Sequence, residues 1–335
     1  MNKVEAREKN NSFSFKKILI EGNLILIIVV LMVVSTMLSP VFLTPDNIFN
    51  LLRQLSPYFL ITIGMLFVIL TGNIDLSQGS TMALGGVMAA VALTNWNIGQ
   101  TDPVFSPILI MLICVAVGAA SGFITGFLVA RLKMMSFVAT LAMGMVNSGI
   151  AYMITDGHPI RVPQDSLAAQ TLLQFGAGGV GGIHWPIILV AVIIVFFAWM
   201  LKFTAFGRLC QATGSNSSAV MLAGQNVQKY QLSTFVISGS LAALAGVILV
   251  TRAAVAAPNA GTGYELDAIA GCVIGGASLA GGKGTVILAI IGMLVIGLIG
   301  NILDLLSVPA FPQKTIKGVI IIAAVLMQMA TQQKK

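Results

Sequence analysis

The sequence predicts an all-α, polytopic membrane bundle of about ten transmembrane spans, one of them glycine-rich and broken. Three observations predict it. Hydrophobic residues make up 57% of the 335 and charged residues only 9%, against about 25% charged in a soluble domain. A chain so poor in charge must turn most of its surface to lipid or to its own helices. Second, the chain divides into apolar runs near the length of about 20 residues that a helix needs to cross the hydrocarbon core. Third, its basic residues sit singly at the ends of those runs, the pattern that sets orientation in a bilayer.

The N-terminal "MNKVEAREKNNSFSFKK" precedes a first apolar run, 20–39. That run exceeds a signal-peptide core and lacks a small-x-small cleavage site, so it reads as an uncleaved span. Further runs lie at 57–72, 79–95, 105–130, 137–154, 185–202, 231–251, 286–304 and 315–330. Between the seventh and eighth of these nine runs lies "YELDAIAGCVIGGASLAGG" (264–282), apolar enough to be buried but too rich in glycine for an ordinary lipid-facing helix. Counted as a span it gives ten, with 1–19 and 332–335 as cytoplasmic tails of a single transmembrane domain, 20–331. In that arrangement Lys3, Arg7, Lys9, Lys16, Lys17, Arg131, Lys133, Lys202, Arg208, Lys229, Lys283, Lys334 and Lys335 lie inside, 13 of the 18 basic residues. Arg53, Arg161, Arg252, Lys314 and Lys317 lie outside. Omitting the glycine-rich span worsens the split.

The run 105–130 carries Gly118, Gly122 and Gly126, a small residue at every fourth position, which lets a neighbouring helix backbone approach closely. Two connections are long: 155–184 outside and 203–229 inside. No connection is large enough for a soluble catalytic domain. The net charge of +7 could attract nucleic acid, but basic residues scattered at span ends argue for a bilayer and against a nucleic-acid role. Cys114, Cys210 and Cys272 show no metal-ligand spacing and their odd number gives no disulfide framework. His158 and His184 share a loop without a ligand partner. No metal and no cofactor is expected.

The stretch "GGASLAGGKGT" (275–285) imitates a phosphate-binding loop, Gly-x-x-x-x-Gly-Lys-Ser/Thr. Lys283 follows Gly282 correctly. However, Ala277 occupies the first glycine's place, Gly284 replaces the magnesium-binding hydroxyl, and no acidic strand end follows. A nucleotide site is excluded. Glycines instead let helices break or pass closely, and broken backbone at membrane depth is tolerated only where protein or water surrounds it. The segment therefore belongs to the bundle interior, near whatever crosses it.

Asp75, in "FVILTGNIDLSQGS", follows the span ending at Thr71-Gly72. Intramembrane carboxylates serve as proton relays or ion ligands, but at a span end with Ser77 and Ser80 nearby, helix capping leads. Glu265 and Asp267 stand at the start of the glycine-rich span, where acidic residues favour a helix dipole; pore-mouth or partner contacts come second. In the inner loop, Ser215, Asn216 and Ser217 are N-cap candidates for a short helix over Ser218–Ala223, with Gly224 at its exit. Such a helix carries Val220, Met221 and Leu222. From this loop alone, a partner surface and a folded-back contact are both open.

Three motifs, "FVILTGNIDLSQGS" (67–80), "FGRLCQATGSNSSAVMLAGQNV" (206–227) and "AGTGYELDAIAGCVIGGASLAGGKGTV" (260–286), resemble the permease subunits of bacterial ABC sugar importers of the ribose, galactoside and xylose type. The likeness extends over about 20–330. It implies a permease of the bacterial cytoplasmic membrane with both termini inside, passing a monosaccharide and performing no catalysis. It also implies three partners: a separate ATPase subunit with two nucleotide-binding domains, an exported sugar-binding protein, and a second permease copy or paralogue. The loop 203–229 matches the family's coupling loop, so Phe206, Gly207, Arg208, Ala212, Gly214, Asn216, Val220, Met221, Leu222 and Gly224 are expected to meet the ATPase. Gly72, Asp75, Ser77, Gly79, Glu265 and Asp267 belong to the motif turns. Small and polar residues of the spans, Thr140, Asn147, Ser148, Gly271, Gly275, Gly276 and Ser278, are expected along the pathway. The chain departs from the family at Asn73, commonly Gly, and at Gln78, commonly apolar. Its coupling loop lacks the family's charges, which points to a more apolar groove on the ATPase. Branched-chain amino acid permeases share this general fold and are the alternative within the class. An ion-driven secondary transporter would need buried ionisable residues in mid-span; apart from Asp75 and Glu21, both near span ends, the spans contain almost none.

Overall fold

The structure, a computed structural model, describes residues 15–94, 105–163 and 166–333. Most of the expected N-terminal cytoplasmic segment and the last two residues, with Lys3, Arg7, Lys9, Lys334 and Lys335, lie outside the described residues.

Among the described residues the chain is all-helical apart from two-residue strands and the turns between elements. Helix α1 covers Phe15–Leu38, α2 Pro45–Leu70, α3 Gln78–Thr94, α4 Phe105–Ala130 and α5 Ser136–Thr155. The connection after α5 is folded rather than open. It contains β1 (Ile160–Arg161), α6 (Leu167–Ala177) and a tight hairpin of β2 (Gly179–Val180) with β3 (Ile183–His184). Helix α7 covers Trp185–Phe203, and the second long connection folds into α8 (Ala205–Ser215) and α9 (Ser217–Leu222). Then come α10 (Val227–Ala253), β4 (Val255–Ala256), α11 (Tyr264–Ile274), α12 (Val286–Leu305) and α13 (Ala310–Gln333).

Helices α2 and α10 form the core. Thr44 caps α2, accepting the Asn47 N–H, and Pro45 opens it where no intrahelical donor is lost. From Leu55 to Leu70 every α2 side chain but Tyr58 is buried. A helix apolar all round belongs inside a bundle, and α2 obeys. Against α10 press the small residues of α3 and α4. A methyl at Gly118 would strike the Gly239 carbonyl oxygen, and one at Gly122 the Phe235 carbonyl. The four-residue glycine repeat is thus the seam between α4 and α10.

Six helices among the described residues are long and apolar enough to cross a bilayer: α2, α4, α5, α7, α10 and α12. Helix α3 has 17 residues and α11 only 11. At 1.5 Å per residue α11 covers about 16 Å, near half of a hydrocarbon core of ~30 Å.

The places where α3 and α11 begin correct the sequence reading of Asp75. That residue follows α2 in sequence, yet it does not lie at the end of the bundle. Gly72 turns the chain at φ +79°, and 73–77 run back along α2. Helix α3 therefore starts beside the middle of its neighbours: the Gln78 Nε2 donates to the Ile61 carbonyl at 3.2 Å and to Ser238 Oγ at 2.7 Å. From Ile61 to the C-terminus of α2 is about 14 Å, so Asp75 is buried at mid-depth. Helix α11 starts near the same level, where Tyr264 stacks on Tyr58 at 4.0 Å. Antiparallel pairing of β1 with β4 fastens the α5 exit to the α10 exit at one end. The opposite end gathers α8, α9, the C-terminus of α2 and the glycine turn 275–285.

Candidate translocation site

The mid-depth junction rests on a hydrogen-bonded chain. Ser77 donates both its N–H (3.0 Å) and its hydroxyl (2.5 Å) to Asp75 Oδ1, and Ser238 Oγ donates to Asp75 Oδ2 at 2.5 Å. A carboxylate taken out of water is tolerated when donors surround it. Asp75 thus caps the turn before α3 and pins it to α10. Gln78 supplies the next link by donating to Ser238.

Beside this junction opens a cavity of about 470 Å³, lined by α3, α5, the segment 258–262 and Glu265 at the start of α11. Its walls include Gly79, Ser80, Gly144, Ser148, Gly149, Tyr152 and Thr262. Gly79 is where α3 and α11 meet; a methyl there would strike Glu265 Oε2 and the Gly261 carbonyl. Glu265 Oε1 accepts the Gly263 N–H at 3.2 Å. No Lys or Arg lines the cavity among the described residues.

Of the expected pathway residues, Ser148 lines this cavity. Thr140 and Asn147 face the other way and are buried. The Asn147 amide donates to Thr81 Oγ1 at 2.9 Å and to Ser121 Oγ at 2.8 Å, clamping α5 to α3 and α4. Asn147→Leu should therefore cost about 1 kcal/mol, the scale of interhelical hydrogen bonds in membranes, read as a lowered Tm of the detergent-solubilised protein. Gly271 and Gly275 pack on α12, where a methyl on Gly292 would meet the Gly271 carbonyl. Gly276 and Ser278 form the turn beyond, with the Ser278 N–H donating to the Lys283 carbonyl at 2.9 Å. Asp267 accepts from Lys317 Nζ at 2.9 Å and so ties α11 to α13. Sequence reasoning missed Gly144, Tyr152 and Thr262. The i, i+4 spacing of Gly144, Ser148 and Tyr152, one stripe on α5, was the legible signal.

The other constellation is at the opposite end. Thr204 caps α8 by accepting the Gly207 N–H at 3.2 Å, and a methyl at Gly207 would strike the Leu201 carbonyl. Phe206 packs between Phe67 of α2 and Tyr230 of α10, ring centroids 6.3 and 6.1 Å away. Arg208 is exposed and Ala212 half-buried. Gly214 lies against the Leu70 carbonyl and the Gly282 amide, and Gly282 N–H itself donates to that carbonyl at 3.0 Å. Gln211 Nε2 donates to the Gly284 carbonyl at 3.2 Å. Helix α8 is thereby fastened to α2 and to the glycine turn.

Asn216 caps α9, accepting from Ala219 N–H at 3.0 Å, and Gly224 exits at φ +74°. The helix begins and ends one residue earlier than expected. The three apolar side chains do not act alike: Val220 is 6% exposed, Met221 55% and Leu222 90%. At 100° per residue they cannot share one direction, and Val220 is the one folded back. Burial pushes the Cys210 thiol on α8 up to about 12. Cys114, Cys210 and Cys272 are all buried. The native protein should consequently resist maleimide at neutral pH, whereas Leu222→Cys should label at the rate of a free thiol.

Residues 47–325 match the family described as branched-chain amino acid transport system / permease component. The ribose import permease protein RbsC of Haemophilus influenzae is 38% identical over 329 residues, 98% of this chain and 99% of that protein. RbsC of Bacillus subtilis is 39% identical over 298 residues, 89% of each chain. The L-arabinose transport system permease protein AraH of Escherichia coli is 33% identical over 333 residues, 97% of this chain and 95% of that one. No solved structure matches the chain.

Proposed function

The chain belongs to the branched-chain amino acid transport system / permease component family, and on that premise we propose that it is the permease subunit of an ATP-driven importer for a ribose-like monosaccharide. The observation that carries the reading is identity of 38–39% to ribose import permeases along nearly the whole chain. The cavity supports a neutral cargo over an amino acid. Glu265 could meet an amino acid's ammonium group, but among the described residues the lining holds no Lys or Arg to receive its carboxylate. A sugar needs neither charge partner.

The protein sits in the bacterial cytoplasmic membrane, with α9 and both termini on the cytoplasmic side. It crosses ten times: α3 and α11 are half-helices completed by the non-helical segments that precede them, 71–77 and 257–263. The cavity is the midway station of the pathway, and a second permease copy or paralogue closes its open side. Around it, Asn147 and Thr140 brace α5, while Gly271, Gly275, Gly276 and Ser278 let α11 shift against α12. Met221 and Leu222 enter an apolar groove on a separate ATPase subunit with two nucleotide-binding domains. Closure of those domains displaces α8, which moves the end of α2 and, through Gly282 and Gly284, the turn that ends α11. Glu265 lies at the far end of α11, so the ATPase contact and the cavity share one rigid element. Energy enters as unequal affinity of the ATPase for the two arrangements, as any such shift requires. At the hairpin end an exported binding protein delivers the sugar.

Proteoliposomes containing this chain, its ATPase and its binding protein should take up ribose when ATP is supplied, and unlabelled leucine should not compete. Leucine uptake in place of ribose uptake would assign the chain to the amino acid branch.

A further inference from the structure

We propose that Glu265 is a cargo-binding residue, accepting hydrogen bonds from the hydroxyl groups of the sugar as it passes the cavity; this rests on the sugar-importer reading above. An ionised carboxylate offers acceptors and no donor. One Glu265 oxygen is occupied by the Gly263 N–H. The other, Oε2, is buried and has no hydrogen-bond partner among the described residues. Leaving such an atom unpaired costs free energy that a ligand donor recovers.

The neighbouring wall has the same polarity. Ser80 Oγ gives its proton to the Ser77 carbonyl at 2.8 Å, and Thr262 Oγ1 gives its proton to the Asn259 carbonyl at 2.9 Å. Both hydroxyl oxygens can only accept from the cavity. Glu265, Ser80 and Thr262 thus present acceptors, beside the Ser148 and Tyr152 hydroxyls, which can donate or accept. A polyol, whose hydroxyls do both without carrying charge, matches this lining. Gly79 belongs to the same arrangement, because no side chain fits between α3 and the Glu265 carboxylate. A small rotation of the Glu265 side chain toward the cavity that it already lines presents both oxygens to adjacent hydroxyls, the geometry by which a carboxylate receives two donors.

The test uses the permease–ATPase complex without its binding protein, carrying Ser148→Cys as a reporter in the cavity. D-ribose at tens of millimolar should slow maleimide labelling of that cysteine severalfold, and 2-deoxyribose or sodium chloride at equal concentration should not. Adding Glu265→Ala should abolish protection; Glu265→Gln, which keeps one acceptor oxygen and the side-chain volume, should retain part of it. In the full importer, ATP-driven ribose uptake should fall roughly tenfold in Glu265→Ala, the scale of losing a charged acceptor. Equal protection with and without Glu265→Ala would overturn the assignment, as would no protection by ribose, protection by sodium, or equal protection by the deoxy sugar. A wild-type importer that takes up no ribose fails the functional reading itself. Normal wild-type uptake with unaltered protection in Glu265→Ala fails only the role of Glu265.

Discussion

With Met221 and Leu222 both replaced by aspartate, the ATPase subunit should no longer co-purify with this chain and ATP-driven uptake should cease. The two side chains are the exposed pair on α9, with Leu222 almost wholly bare, and the capping bond from Asn216 holds the helix without them. Apolar side chains set in a partner's groove behave as hot spots, each worth about 2 kcal/mol or more. Two carboxylates also add a desolvation cost when they enter an apolar groove. Folding should be untouched, because neither side chain packs inside the bundle. Val220→Ala is the contrast: that side chain is buried, so its loss should lower stability and leave ATPase binding nearly intact. Quantified co-purification, set beside Tm in detergent, separates the two effects.

The second large effect belongs to the α3–α10 crossing. Gly246→Ala should destabilise the protein by about 3 kcal/mol, the upper range of overpacking, and Gly246→Leu should prevent accumulation of folded protein. A methyl at Gly246 would run into the Met82 carbonyl and stand 2.8 Å from the Gly86 amide. Both are backbone atoms of a helix that cannot swing aside. A methyl added at Gly300 of α12 would meet nothing within 4 Å, so Gly300→Ala should be neutral or gain a few tenths of a kcal/mol from helix propensity. Thermal unfolding of the two alanine variants in one detergent measures the difference, and the yield of folded protein reads Gly246→Leu. Equal changes in Gly246→Ala and Gly300→Ala would show that backbone approach at Gly246 does not set the cost.

Local signals carry the strength of the sequence reading. Apolar runs, the small-residue repeat at Gly118, Gly122 and Gly126, and the capping chemistry before α9 each depend on residues within a turn or two, and the structure contains all three features. The glycine stretch 275–285, read from the sequence as a broken part of the bundle interior, is a turn against α2 and α8. What is illegible depends on distant contacts. Asp75 reads as a span-end residue because 73–77 have no periodicity to reveal that the chain doubles back. The approach of Gly79 to Glu265 joins segments remote in sequence, and neither residue announces the other. Asn147 resembles a pathway residue because a polar side chain in an apolar run has two uses, and only its partners Thr81 and Ser121 show which one applies. The strands within 155–184 escape for a similar reason, since two residues leave no pattern; helix α6 is a separate omission, although Ser166 caps it.

The central claim is that this chain is a conduit worked from outside through α9, with no driving force of its own. The direct measurement is sugar accumulation in proteoliposomes prepared with the chain alone and with its ATPase and binding protein. The account predicts no accumulation by the chain alone under a proton or sodium gradient, and ATP-dependent accumulation once both partners are present. Concentrative uptake by the lone chain on an ion gradient would contradict it.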